Sequence, residues 1–96
     1  MVKDFDLWID DFVLGYERYL WTIEIEEDNI EDFNLEDYIE DVQKSLYINE
    51  GTYYLKYHDK KENNEILHSF NYFKGMFDIK YDAYTGERIE DTTNGK

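Results

Sequence analysis

The sequence contains no cysteine, which excludes disulfide bonds and thiolate metal sites and leaves the redox compartment open. It also lacks a long uninterrupted apolar run. The N-terminal stretch MVKDFDLWIDDF is acidic and amphipathic, so it fits neither a signal peptide nor a membrane span. We therefore expect a cytoplasmic protein, in the cytoplasm of the host cell if a phage encodes it.

Catalytic and cofactor motifs are missing as well. The chain has no G-x-S-x-G, no glycine-rich phosphate loop and no H-E-x-x-H. Its two histidines, His58 and His68, are expected to serve a sheet face or a loop. Paired carboxylates could perform acid–base chemistry, but 24 acids would bring some pairs together by chance in almost any fold. We expect no enzymatic activity and no cofactor.

The acidic sequence between residues 24 and 41 contains no glycine. A calcium loop of the type D-x-[DN]-x-[DN]-G-x5-E needs a glycine for its sharp turn, so we expect no specific calcium or other metal site. Basic residues are also scarce, since ten Lys and Arg are diluted among 24 acids. Because binding to a phosphate backbone requires clustered cations, we predict no direct binding of DNA or RNA.

The residues that are present indicate one small folded domain. With 96 residues and 42% hydrophobic content, the chain can form a single core and is not a disordered protein. Ten Tyr, six Phe and two Trp predict an aromatic core with some tyrosine hydroxyls reaching water. Exposed tyrosines in a binding surface are the alternative. We place the domain at residues 1–91 and a flexible tail at 92–96.

Apolar side chains near the N-terminus recur at helical spacing. They are Phe5, Trp8, Ile9, Phe12, Val13 and Tyr16. This stripe predicts a first amphipathic helix that ends near Gly15. Apolar residues at alternate positions from Tyr19 to Ile25 then predict a strand. A longer first helix that continues through Leu20 is the alternative.

A second helix is predicted after Asn34, where the run Asn34–Asp37 resembles a capping box. Its buried stripe would comprise Leu35, Tyr38, Ile39, Val42 and Leu46. Lys44 lies near the C-terminal end, where the helix dipole favours a cation. This helix, like the first, is acidic and amphipathic.

The rest of the chain predicts an antiparallel meander. Alternation around Leu55 indicates a strand, and residues 65–73 fit either a strand or a helix, with aromatic content and short length favouring a strand. Further strands are predicted at 77–81 and 87–90, joined by the hairpin loop 82–86. The predicted fold is α+β: two acidic amphipathic helices packed on an antiparallel sheet of about four to five strands.

Negative charge is concentrated in the first half of the chain. The net charge is −14; residues 1–50 carry sixteen acids against three bases, and residues 51–96 carry eight against seven. Ten of the acids form what we call the acidic block. They are Glu24, Glu26, Glu27, Asp28, Glu31, Asp32, Glu36, Asp37, Glu40 and Asp41. This asymmetry predicts that the block binds a basic partner, although an inert solvated surface is the alternative.

The spacing within the acidic block suggests the chemistry of that partner. Carboxylates four apart on a helix lie roughly 5–6 Å apart, and those two apart on a strand about 6.6 Å. Both separations are close to that of successive phosphates on a nucleic-acid strand. In size and charge the chain resembles small acidic phage proteins of the DNA-mimic type, including anti-restriction and anti-CRISPR inhibitors.

This resemblance implies an inhibitor of a basic nucleic-acid-binding protein or nuclease complex. An immunity protein or antitoxin that neutralises a basic toxin is an alternative of similar kind. A cytosolic adaptor or scaffold domain with an incidental acidic surface is the alternative from another class. The sequence alone predicts no oligomeric state.

Overall fold

Four antiparallel strands form the main sheet of the computed structural model, which describes residues 1–59, 61 and 64–78 and the backbone of 80–81 and 88–89. The strands are β1 (Val2–Asp11), β2 (Tyr16–Glu26), β3 (Gly51–Tyr57) and β4 (Ile66–Tyr72), in the order β2-β1-β3-β4. One helix, α1 (Leu35–Ser45), connects β2 to β3. Short 3-10 turns span Glu27–Asn29 and Met76–Asp78, and β5 (Lys80–Tyr81) pairs with β6 (Arg88–Ile89). The fold class is therefore α+β, as predicted.

The N-terminal segment is a strand, so the prediction of a first helix was wrong. Phe5, Leu7 and Ile9 are fully buried on one face of the sheet, and the residues between them point to the other face. The helical stripe required Phe12 to be inside, whereas Phe12 is half exposed. Buried residues recur at every second position here because β1 is a central strand that buries one face. Among the described residues the fold has one α-helix instead of the predicted two.

The predicted strand from Tyr19 to Ile25 is confirmed and lies within β2. Its pairing with β1 shifts register between Leu7 and Trp8, and Leu20 is the extra residue at this irregularity. The alternative of a first helix continuing through Leu20 is thereby wrong.

The strands predicted in the C-terminal half are confirmed in part. The region 65–73 contains strand β4, as favoured, and β3 spans the alternation around Leu55. The predicted strand 77–81 is reduced to the two residues of β5, preceded by a 3-10 turn. The short returning strand is confirmed as β6. The predicted loop 82–86 and the tail 92–96 lie outside the described residues.

Helix α1 begins where the sequence predicts. The Asn34 side chain caps it by accepting a 3.0 Å hydrogen bond from the Asp37 N–H, which satisfies one of the free donors of the first turn. Leu35 and Ile39 are buried beneath the helix, and Lys44 lies in its last turn. The apolar stripe thus directs one side of α1 to the sheet and leaves its acids toward solvent.

The core lies between α1 and one face of the sheet. The register places Trp21, Leu7, Leu55 and His68 in one row across the four strands. Both ends of this row contact the helical layer: Trp21 Nε1 donates to Tyr38 Oη at 2.8 Å, and His68 Nε2 lies 2.6 Å from the Ile30 carbonyl oxygen. The buried apolar residues are Phe5, Leu7, Ile9, Ile25, Ile30, Leu35, Ile39, Tyr53, Leu55 and Tyr72.

The two central strands approach closely at Gly51. A Cβ atom there would lie 2.4 Å from the Asp10 carbonyl oxygen and 2.8 Å from Ile9 Cγ1, so the position requires glycine. No helix in the described part of the chain is long and apolar enough to cross a membrane.

Candidate interaction surfaces

The acidic block extends from the end of β2 to the middle of α1. Glu24 and Glu26 belong to β2, and Glu27 and Asp28 lie in the 3-10 turn that follows. Glu31 and Asp32 are exposed in the connection to α1. The remaining four acids are in α1: Glu36, Asp37, Glu40 and Asp41. The structure therefore places the ten predicted partner-binding residues on four consecutive segments.

Few members of the block have a cation beside them. The N-terminal amine pairs with Glu26, Lys3 Nζ lies 2.8 Å from Glu27 Oε2, and Lys44 Nζ lies 3.8 Å from Asp41 Oδ1. The hydrogen bond and the charge of Lys3 hold the pKa of Glu27 below its usual value. The other seven acids form no ion pair with any described residue. Most of the block is therefore uncompensated negative charge.

The helical spacing assumed for four of these acids is present in the structure. Glu36 and Glu40, like Asp37 and Asp41, are four residues apart within α1, which places their Cβ atoms roughly 5–6 Å apart. Glu36 and Asp37 are in the first turn, where the helix dipole favours an anion. Glu40 and Asp41 lie beyond the first turn, so the dipole does not stabilise them, and they repel Glu36 and Asp37 one turn earlier.

The sheet divides the block between two faces. Helix α1 covers the face that carries Leu7 and Leu55. We call the opposite side of the sheet the open face. Glu24 points to the open face because its neighbours on β2, Ile23 and Ile25, point to the core. The structure thus brings the four α1 acids together but separates them from Glu24.

The open face gathers carboxylates that the helical interpretation of the N-terminus had dispersed. They are Asp4, Asp6, Asp10, Glu17 and Glu24. The Cα partners Asp4–Glu24 and Asp10–Glu17 are like-charged pairs on adjacent strands, an arrangement that destabilises a sheet. The alternation of Asp with Phe5, Leu7 and Ile9 was the signal that could have revealed this second acidic surface.

A row of aromatic side chains crosses the open face between these acids. Trp8 is paired with Tyr19 on β2 and with Tyr54 on β3. Lys56 Nζ lies 5.2 Å from the ring centroids of both Trp8 and Tyr54, within cation–π range. Burial, together with the hydrogen bond that Tyr54 donates to Glu17, raises the pKa of Tyr54 and keeps its hydroxyl neutral.

A buried carboxylate, Asp11, organises the turn between β1 and β2. Its Oδ1 accepts 2.9 Å hydrogen bonds from the Val13 and Leu14 N–H groups, and its Oδ2 accepts from Asn49 Nδ2 at 2.8 Å. Arg18 donates from Nε and Nη2 to the same Oδ2, at 3.2 and 3.1 Å. Burial alone would raise the pKa of Asp11, but these hydrogen bonds outweigh it and hold the pKa below 3.8. Asp11 is thus an ionised carboxylate that fixes the turn, in a segment whose sequence had predicted a helix.

Exposed apolar side chains surround this turn. We call them the apolar end: Phe12, Val13, Leu14, Tyr16, Tyr47 and Phe73. The rings of Phe12 and Phe73 have centroids 6.0 Å apart, and Lys74 Nζ lies 5.2 Å from the Tyr47 centroid. The Phe12 N–H donates to the Glu50 carbonyl oxygen at 3.0 Å. Three chain segments therefore meet at this end of the sheet.

The two histidines occupy structural positions. His68 Nε2 bonds the Ile30 carbonyl, and its ring lies 6.0 Å from that of Phe33. His58 Nδ1 lies 2.8 Å from Asp6 Oδ1 on the open face. In the part of the chain that the structure describes, no three His, Asp or Glu side chains are grouped as metal ligands.

Comparison of the chain with protein-family models, with curated proteins and with solved structures gives no match.

Proposed function

We propose that this protein is a small acidic inhibitor that binds a basic nucleic-acid-binding protein through the acidic block and presents carboxylates in place of phosphates. Seven block carboxylates without an ion pair among the described residues are the supporting observation. Such uncompensated charge matches a cleft lined by Lys and Arg. The partner class is a host nuclease or defence complex, as for phage anti-CRISPR or anti-restriction proteins, and the inhibitor acts in the cytoplasm.

Helix α1 supplies the phosphate-like part of the contact. Glu36, Glu40 and Asp41 lie on a rigid, capped element, so their spacing is fixed before binding. Fixed geometry lowers the entropic cost of association. The charge of −14 would also steer the chain toward a basic cleft and raise the association rate at low salt.

The structure suggests a matched pair of variants to test this assignment. The helix triple is Glu36→Gln, Glu40→Gln and Asp41→Asn. The sheet triple is Asp4→Asn, Asp10→Asn and Glu17→Gln, on the open face. Each triple raises the net charge by three, from −14 to −11, so both reduce long-range steering to a similar degree. Asp37 is left unchanged so that the first turn keeps one of its two acids, which the helix dipole favours there.

The assay is competition with DNA on purified nucleases. An RNA-guided nuclease loaded with guide RNA and a type I restriction endonuclease are each incubated with labelled cognate DNA and increasing inhibitor. We expect the wild-type chain to displace DNA from at least one of them and to block cleavage at near-stoichiometric amounts. The helix triple should require at least tenfold more protein, a loss of about 1.4 kcal/mol, and the sheet triple clearly less.

Three results would contradict the proposal. They are equal losses for the two triples, no displacement from either nuclease, and micromolar binding of labelled DNA by the chain alone. Neutralisation of a basic toxin without an effect on defence nucleases would favour the immunity-protein alternative. A stable complex that leaves DNA binding intact would favour an adaptor.

A further inference from the structure

The turn between β1 and β2 exposes apolar side chains where polar ones are expected. Val13 is 62% exposed, and Phe12 and Leu14 are about half exposed. Hairpin turns normally carry Gly, Asn, Asp or Ser, and contiguous exposed apolar patches mark interaction sites. The apolar end is therefore a candidate interface.

The conformation of this turn is fixed before any contact is made. Asp11 accepts hydrogen bonds from the two backbone N–H groups inside the turn, and the Gly15 N–H donates to the Asp11 carbonyl at 2.7 Å. Gly15 has a φ of +84°, a conformation that favours glycine. Because the buried carboxylate holds the loop, little conformational entropy remains to be lost on docking.

The exposed area is sufficient for a weak but specific interface. An aromatic side chain has roughly 150–250 Å² of surface, so the six half-exposed residues of the apolar end offer on the order of 500 Å². Two such patches would bury on the order of 1,000 Å² in total, which is near the lower limit for a biological interface. Interfaces of this size are typical of weak, transient complexes, so we expect an affinity in the micromolar range.

We propose that the apolar end joins two copies of this chain in a symmetric dimer. A two-fold interface must be self-complementary, so any charge in the patch needs an opposite charge from the same patch on the other copy. Lys74 lies over Tyr47 within the patch, and Asp10 and Glu17 form the rim on the adjoining strands. A two-fold axis can place each cation opposite the other copy's acids, whereas a basic partner would meet Lys74 unfavourably.

The apolar end lies far from the β2 end of the acidic block. Strand β2 has eleven residues, so the turn lies about 35 Å from Glu26 at the far end of that strand. That distance is several times the screening length of about 8 Å at physiological ionic strength. The open face would instead bring like-charged acids together. This inference does not depend on the proposed function; a dimer formed in this way would leave the β2 end of both acidic blocks free.

Sedimentation equilibrium across a micromolar concentration series tests the proposal. The tip variant, Val13→Ser with Leu14→Ser, is compared with a control, Val2→Ser with Ile66→Ser. The control residues are each 55% exposed. They are the first residues of β1 and β4, at the ends of these strands that are farthest from the apolar end. We expect the wild-type chain and the control to dimerise and the tip variant to be at least tenfold weaker. Added salt should leave the dimer intact or strengthen it, because apolar burial dominates.

Folding of each variant is checked by its melting curve, and Leu14→Arg alone provides a second disruption if the double variant is unstable. A wild-type chain that remains monomeric at several hundred micromolar would overturn the inference. Equal weakening by the tip and control variants would do the same. Failure of the dimer proposal can be distinguished from failure of the proposed function, because the tip variant should still displace DNA from the nuclease. Its apparent affinity should fall at most by the amount that a dimer gains from binding two sites at once.

Discussion

The two ends of the β1–β2 hairpin show opposite chemistry on the same pair of strands. At the turn, the apolar end exposes Val13 and Leu14 on a backbone held by buried Asp11. At the other end, Glu24 to Asp28 place four acids within five residues, and the N-terminal amine and Lys3 pair with two of them. A contact at the turn would gain free energy by excluding water, and a contact at the other end by attracting opposite charge.

This difference would let a very acidic chain carry the two proposed contact surfaces without conflict. Electrostatic contacts weaken with salt and act at long range, whereas apolar contacts act only when surfaces meet. Because the apolar end and the acids from Glu24 to Asp28 lie at opposite ends of a long hairpin, each can be altered without affecting the other. Substitutions at one end of the hairpin at a time can therefore test the contribution of each end.

The largest expected effect is the loss of the anchor beneath the apolar end. Asp11→Ala removes the acceptor of five hydrogen bonds and leaves Arg18 without its partner. We expect a loss of about 3 kcal/mol in the free energy of unfolding, the lower end for a broken buried pair, since Arg18 is 36% exposed. Urea titration measures the loss. Asp10→Ala, one residue away and exposed, should change stability by less than about 0.5 kcal/mol.

The pH dependence of that loss identifies its electrostatic origin. The pKa of Asp11 is lowered from 3.8 in the folded state, so the stability it contributes is complete above the unfolded pKa. It disappears as the pH falls through the lower folded value. The difference between wild type and Asp11→Ala should thus be constant from neutral pH to about pH 5 and shrink in stronger acid. A difference that does not change with pH would mean that the carboxylate acts only through packing.

The smallest expected effect lies at the acidic end of the hairpin. Asp4→Asn removes the like-charged cross-strand pair with Glu24 and should stabilise the fold by a few tenths of a kcal/mol, about 0.3. Asp32→Asn, in a loop outside the sheet, should have less effect. The gain should vanish in high salt. Destabilisation by Asp4→Asn would contradict the view that the open face carries uncompensated repulsion.

Sequence periodicity predicted most of the fold but failed at β1. Helix α1 was predictable because a capping residue, an apolar stripe and a C-terminal lysine all agree within eleven residues. In the N-terminal segment, Trp8 and Phe12 fit a helical stripe. Phe5, Leu7 and Ile9 fit an alternating strand pattern equally well. Only pairing with β2 and β3 decides between them, and that long-range contact is not visible in a local window.

The candidate surfaces were predicted only in part for the same reason. The acids of α1 could be placed because helical spacing is local. The open-face acids and the role of Asp11 depended on the strand that was missed, since Asn49 and Arg18 reach Asp11 through tertiary structure. The apolar end could not be predicted, because burial of Phe12 and Val13 in a helix had been assumed.

The most direct test of the proposed role of the acidic block is to measure how fast the chain associates with a nuclease that we propose it inhibits. Rates are measured at low and physiological salt for the wild type, the helix triple and the tip variant. We expect the wild-type association rate to fall steeply with salt, the helix triple to associate more slowly and dissociate faster, and the tip variant to bind each site like the wild type. A salt-independent association rate, or a helix triple that binds like the wild type, would contradict the claim that the acidic block makes the contact.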